Sequence, residues 1–177
     1  MLRTLAIFVG LIIAVVAGIV IYAATKPDTF RVQRTVEIKA SPAKILPLID
    51  DLKAWPTWSP YEKKDPGMKR SYGAVTKGKG ATYAWDGNEH VGQGHMKILE
   101  ETPDKVVIKL DFEKPFEAHN TAEFLLRPQG DATSVTWAIY GPSPLVSRVM
   151  GLFMDMDRMI GRDFEQGLAD LKAIAEK

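Results

Sequence analysis

The sequence predicts an α+β domain, a curved antiparallel sheet wrapped on one long C-terminal helix, behind a single N-terminal transmembrane helix. Three observations predict it. Leu5 to Ala24 is apolar and carries no charge, the middle of the chain alternates with a period of two between turn residues, and the end shows a helical stripe. Strands grouped in the middle with helices at the ends make an α+β pattern.

The N-terminal run is 20 residues long. At ~1.5 Å per residue such a helix covers the ~30 Å hydrocarbon core. Arg3 precedes it and Lys26-Pro27 closes it. A cleaved signal is the alternative, but its apolar region runs ~7–15 residues and ends in a small-x-small site. Here the run is longer, and Tyr22 occupies the third position back from Thr25. The expected organisation is an anchor over 1–25, a short linker over 26–29 and a soluble domain over 30–177. Arg3 and the α-amino group favour an inside N-terminus, against the pull of Lys26, Arg31 and Arg34. The expectation is a single-pass protein with its domain on the extracytoplasmic (periplasmic) side. The five residues between Ala24 and Phe30 reach only ~17 Å when extended, which would hold the domain close to the bilayer.

Phe30, Val32, Val36 and Ile38 alternate with polar neighbours and predict a half-buried strand. Ser41-Pro42 starts a helix with Ile45, Leu48, Ile49 and Leu52 on one face. Pro47 should bend or split it. Trp55 to Gly67 reads as an ordered loop. Strands follow at Ala81–Trp85, Val91–Ile98, Val106–Phe112, Ala118–Leu126 and Val135–Ile139, with Gly87-Asn88 as a two-residue hairpin signal. Val149, Leu152, Phe153, Met156, Ile160, Phe164, Leu168 and Leu171 predict one continuous amphipathic helix.

Composition narrows the function. Outside the N-terminal run the 22 remaining basic residues balance 22 acidic ones, unlike a nucleic-acid binder or a domain held to lipid by charge alone. There is no cysteine, so thiol nucleophiles and thiolate metal sites are excluded. Gly78-Lys79-Gly80 and Gly92-Gln93-Gly94 flank strands rather than open a helix, and suggest sheet bending instead of phosphate binding. No cofactor or metal is expected. His90 stands beside Glu89 and Asp86 at a hairpin tip, which suggests a metal or acid-base pair, against the polar surface that a hairpin tip has by default; His90, His95 and His119 stand in no triad spacing.

Several stretches together carry a resemblance. They are Phe30 to Ile38 with Ala40-Ser41-Pro42, Asp51 to Pro60 ending in W-x-x-W-S-P, Gly78-x-Gly80-x-x-Tyr83-x-Trp85-x-Gly87-Asn88, Val91-Gly92-x-Gly94-x-Met96, Thr133-x-Val135-Thr136-Trp137, and Met156-Asp157 with Gly161 to Lys172. The chain resembles the SRPBCC (START, birch-pollen-allergen and polyketide cyclase) superfamily over residues 30 to 175. The likeness is to its membrane-anchored bacterial polyketide cyclase/dehydrase-like members. The resemblance implies a helix-grip fold with an apolar cavity between sheet and C-terminal helix. It implies no single activity, because that fold hosts lipid carriers, cyclases and protein-binding regulators.

On these faces Tyr83, Trp85, Met96, Phe112, Trp137, Phe153, Met156, Ile160 and Phe164 are the candidate cavity residues for a hydrophobic small molecule or lipid. Simple core filling is the alternative. Trp55 and Trp58 form either a lid or a plug. Arg34 shares a strand face with Val32 and Val36. It should either pair with Asp157, Asp163 or Glu165, or bind an anionic head group at the cavity mouth. The favoured function is a membrane-anchored binding protein without chemistry. A cyclase/dehydrase-like enzyme and a module regulating a membrane partner are the alternatives.

Overall fold

The computed structural model describes residues 2–177, which form two compact units. The smaller comprises the N-terminal segment to Phe30 together with Pro142–Met156. Its helix α1 (Leu2–Ala24) is long and apolar enough to cross a membrane. Beside it lies the short helix α4 (Leu145–Met150).

The larger unit comprises Arg31–Gly141 and Asp157–Lys177. Strand β1 (Thr29–Ile38) leads into helix α2 (Pro42–Asp50), a single turn at Trp55–Thr57 and helix α3 (Pro60–Lys64). Six strands follow: β2 (Lys69–Tyr72), β3 (Thr82–Asp86), β4 (Gln93–Thr102), β5 (Lys105–Lys114), β6 (Ala118–Gln129) and β7 (Ala132–Pro142). Helix α5 (Met156–Ala175) ends the chain. The seven-stranded sheet has the order β1-β7-β6-β5-β4-β3-β2, and the pairs from β2 to β7 are antiparallel. Register irregularities in β4, at Gln93/Gly94 and Ile98/Glu100, bend the sheet. Phe164, Leu168, Leu171 and Ala175 of α5 are buried, as are Ile98, Ile108, Phe124, Leu126 and Val135 of the sheet. This is the predicted α+β helix-grip architecture.

Several local expectations differ from the structure, and the first is the reading of Trp55 to Gly67 as loop, where Pro60–Lys64 is helical. The C-terminal helix is not continuous from Val149. Helix α4 closes at Gly151, Leu152 to Met154 form turns, and α5 begins at Met156. A glycine costs ~1 kcal/mol inside a helix, and the apolar spacing carries across the break without a helix beneath it. Helix α2 runs through Pro47 unbroken. Proline there frees only the carbonyl of Ala43, close to the helix start. The β3–β4 connection spans six residues, 87–92, instead of two. Val91 turns inward there, and its carbonyl accepts from Trp85 Nε1 at 3.0 Å. Edge strand β2 carries no apolar alternation and was not expected.

Candidate functional site

The inner face of the sheet is assembled by register. Tyr83 stands opposite Met96, and Met96 opposite Leu110. Trp85 stands opposite Gly94, and Gly94 opposite Phe112. Ile108, Ala122 and Ile139 make a third row, and Phe124 pairs with Trp137. Gly94 is what allows the second row. A Cβ there would collide with Asp111 O and meet Trp85 Cζ2 at 2.7 Å, so the indole can lie over the strand only because residue 94 has no side chain.

One end of this face is filled. Trp137 stacks on Phe164 (4.0 Å between ring centroids, 10° between planes) and on Phe124 (5.1 Å, 22°). Trp58 packs edge-on against Phe124 and Trp137. Trp55 and Trp58 are buried, and their indole N–H groups donate to Ile49 O (2.9 Å) and Leu48 O (2.7 Å). Both indoles therefore tie the loop to α2, Trp58 as a buried plug and Trp55 also as part of the cavity wall.

The other end keeps a cavity of about 140 Å³. Tyr83, Trp85, Met96, Phe112, Trp137 and Phe164 line it, with Ile108, Leu110, Ala122, Ile139, Val91 and Met68. Phe153 and Met156 are exposed side chains of the smaller unit, and half-buried Ile160 does not line it either. A second hollow of about 310 Å³ touches Ser71, Thr82, His95, Lys97, Lys109 and Asp111. Its charges serve one another: Asp111 accepts from Lys109 (2.7 Å) and lies against His119 (2.7 Å) and His95 (3.2 Å). Lys109, His119 and His95 help hold the Asp111 carboxyl below its ordinary range against the opposing effect of its burial.

The cavity has one carboxylate, which the sequence reading missed. Glu62 lies in α3, behind Ser59 and Pro60, which start that helix. Its neighbours Lys63 and Lys64 reach outward to Asp170 (2.7 Å) and Asp163 (2.6 Å) of α5, while Glu62 is buried. Tyr83 Oη donates to Glu62 Oε1 at 2.7 Å, and Arg70 Nε donates to Oε2 at 2.6 Å. Burial, then the bond to Glu62, pushes the Tyr83 phenol far up, so it stays protonated as a donor. Burial does the same to Tyr61, beside Asp163. Trp137 Nε1 is buried and has no acceptor among the described residues. The only local hint of Glu62 was the proline-led helix start at Ser59-Pro60 inside a stretch read as loop.

Arg34 is held away from this chemistry. It donates to Asp157 (2.9 and 3.1 Å) and through Nε to Glu165 (2.7 Å), and these bonds raise its pKa further. A Cβ at Gly161 would meet its guanidinium, so the glycine lets Arg34 lie across α5. Asp163 is Lys64's partner, not Arg34's. Among the described residues no group of three or more His, Asp or Glu side chains is placed to hold a metal ion.

Known structures repeat this architecture. A protein from Chromobacterium violaceum superposes with a TM-score of 0.58 at 15% identity, over 86% of this chain and 99% of that one. Ara h 8.0201 gives 0.56 at 11%, over 83% and 97%. The di-domain ARO/CYC StfQ from the steffimycin biosynthetic pathway gives 0.64 at 12%, over 84% of this chain and 51% of its own. At these identities the likeness establishes the fold. No match is found among curated proteins. The family described as polyketide cyclase/dehydrase and lipid transport matches residues 29–176, nearly the whole of the chain after α1. The chain belongs to this SRPBCC-type family of polyketide cyclase/dehydrase and lipid transport domains.

Proposed function

We propose that the domain binds a small apolar molecule with one polar end, and that α1 anchors it in a membrane with the domain on the extracytoplasmic side. The observation that carries this is the apolar cavity of about 140 Å³ containing a single carboxylate, Glu62, beside Tyr83. An engineered apolar cavity of ~150 Å³ takes up benzene, whereas drug-sized sites run ~300–1,000 Å³. The room suits one ring or a short acyl stretch rather than a whole lipid. A ring burying ~150 Å² gains only about 4 kcal/mol before ordering costs. A hydrogen bond to a charged group adds about 1.5–3 kcal/mol, so the polar end decides the affinity. Each carboxylate oxygen of Glu62 keeps a lone pair beyond its present bond, and Trp137 Nε1 offers a donor.

Methionine methyl NMR on the full chain in detergent micelles tests it. Titration with p-cresol should shift the Met96 methyl saturably and leave Met150 and Met154, exposed in the smaller unit, unchanged. No saturable shift with p-cresol or toluene, or an equal shift at Met150, would end the proposal.

A second reading is a cyclase/dehydrase-like enzyme, and the Glu62–Tyr83 pair favours it. A carboxylate stands beside a phenol that keeps its proton, inside an apolar pocket. Turnover of an aromatic polyketide-like substrate that Glu62→Gln abolishes, with binding retained, would establish this reading. Turnover unchanged in Glu62→Gln would exclude it.

A further inference from the structure

We propose that Leu145–Met156 is a second membrane contact, lying in the headgroup and upper acyl layer beside the end of α1. The proposal rests on the reading that α1 crosses a bilayer. It starts from α1's own surface. Every described side chain of α1 is exposed except Ile19 and Ala23, one helical turn apart on the same face. Helix α4 packs on α1. Arg148 donates to Ala24 O, a carbonyl the helix end leaves without an intrahelical partner, and to Lys26 O just beyond it, both at 3.1 Å. Ser143 N donates to Asp28 O at 2.6 Å. The segment is thus tied to the last turn of α1, a few ångströms along the axis.

That turn has the character of a membrane boundary. Lys26 Nζ donates to Tyr22 Oη at 2.9 Å and sits over the ring, 4.4 Å from its centroid. Tyrosine and lysine at the end of an apolar helix mark the headgroup level. At this level Leu145, Val146, Met150, Phe153, Met154 and Met156 are exposed, Val146 to 70% and Phe153 to 73%. A chain folded for water alone would not gather so many large apolar side chains beside an anchor. The nearby charges Lys26 and Arg148 are balanced by Asp28 and Asp155. Apolar contact, not attraction to anionic lipid, is therefore the driving term, and neutral lipid suffices.

The chain has no cysteine, so single cysteines can be introduced and labelled cleanly. The full chain is reconstituted in phosphatidylcholine vesicles with an environment-sensitive fluorophore at Val15, Val146 or Phe153. Quenching by nitroxide lipids and by iodide is then compared. The proposal expects all three labels to lose most of their emission to nitroxide lipids. Val146 and Phe153 should respond best to a nitroxide near the headgroup, Val15 to one deep in the acyl chains. Val15 quenched by lipid while Val146 and Phe153 respond only to iodide overturns the proposal and leaves the anchor standing. Val146 and Phe153 shielded from both quenchers overturns it in favour of a protein-covered surface. Val15 unquenched by lipid overturns the anchor reading and the proposal with it.

Discussion

The two ends of the inner sheet face use the same aromatic side chains to opposite effect. At one end Trp58 and Phe124, both fully buried, pack edge-on against each other and also pack against Trp55 and Trp137, which with Phe164 form the wall between the filled end and the cavity. At the other, Tyr83, Trp85 and Phe112 stand around an open space, because Gly94 and Ala122 contribute little or no side chain. Two of the buried carboxylates differ as well. Glu62 at the open end has both oxygens served, by Tyr83 and Arg70. Asp50 closes α2, the helix to which the plug is tied, and its Oδ1 has no partner. The difference teaches that aromatic content alone does not mark a binding site. Paired polar groups beside unfilled apolar volume do.

The largest effect expected is at the filled end. Trp58→Ala should cost about 3–5 kcal/mol in chemical denaturation, since Trp58 is fully buried and its loss also strips Leu48 O of its donor. A cost near 1 kcal/mol would mean that this end is no better packed than the open one.

Asp50 comes next. Burial pushes its carboxyl up to about 6, with Glu101 adding to the rise and Lys77 opposing it. The folded state therefore holds the proton more tightly than the unfolded state. Asp50's contribution to stability is therefore fully present below the unfolded value near 3.8 and is lost as pH rises toward 6. That fall should amount to roughly 1–3 kcal/mol, and Asp50→Asn should flatten it and stabilise the protein at neutral pH. Thermal melts across pH 4–8 check this; an unchanged profile in Asp50→Asn assigns the effect elsewhere.

Glu62→Gln keeps an acceptor but loses the charge, and should cost about 1–2 kcal/mol of stability by denaturation. A larger loss would make the open end as structural as the plug. The smallest stability change is expected for Ala122→Leu, where the new side chain enters existing space. It should stay within about 1 kcal/mol of wild type while removing p-cresol binding. Retained binding would place the ligand elsewhere.

Much of the fold was legible because burial imposes periodicity. The alternation from Val106 to Phe112 and from Ala122 to Leu126 marked the inner face, and Phe164, Leu168 and Leu171 marked the buried stripe of α5. Periodicity is blind to what interrupts it. The spacing from Val149 to Met156 continued through Gly151 as if the helix did, and drew Phe153 onto a face it does not share. Strand β2 buries too little to alternate. Glu62 was illegible for a different reason. A charged residue in a proline-rich loop reads as solvated, and only Tyr83 and Arg70, 21 and 8 residues away in sequence, make its burial affordable. Arg34 was legible as a charge needing partners, but its choice of Glu165 over Asp163 follows from the face of α5 it crosses, where Asp157, Gly161 and Glu165 are spaced by four.

The most direct test of the binding claim is the ratio of p-cresol to toluene affinity, read from the Met96 methyl in wild type and in Glu62→Gln. The two ligands differ by one hydroxyl, so the ratio isolates the polar end from the apolar burial. Wild type should prefer p-cresol by roughly tenfold or more, and Glu62→Gln should bring the ratio toward one. Equal affinities in wild type, or a preference that survives Glu62→Gln, would contradict the assignment of Glu62 as the ligand's polar anchor.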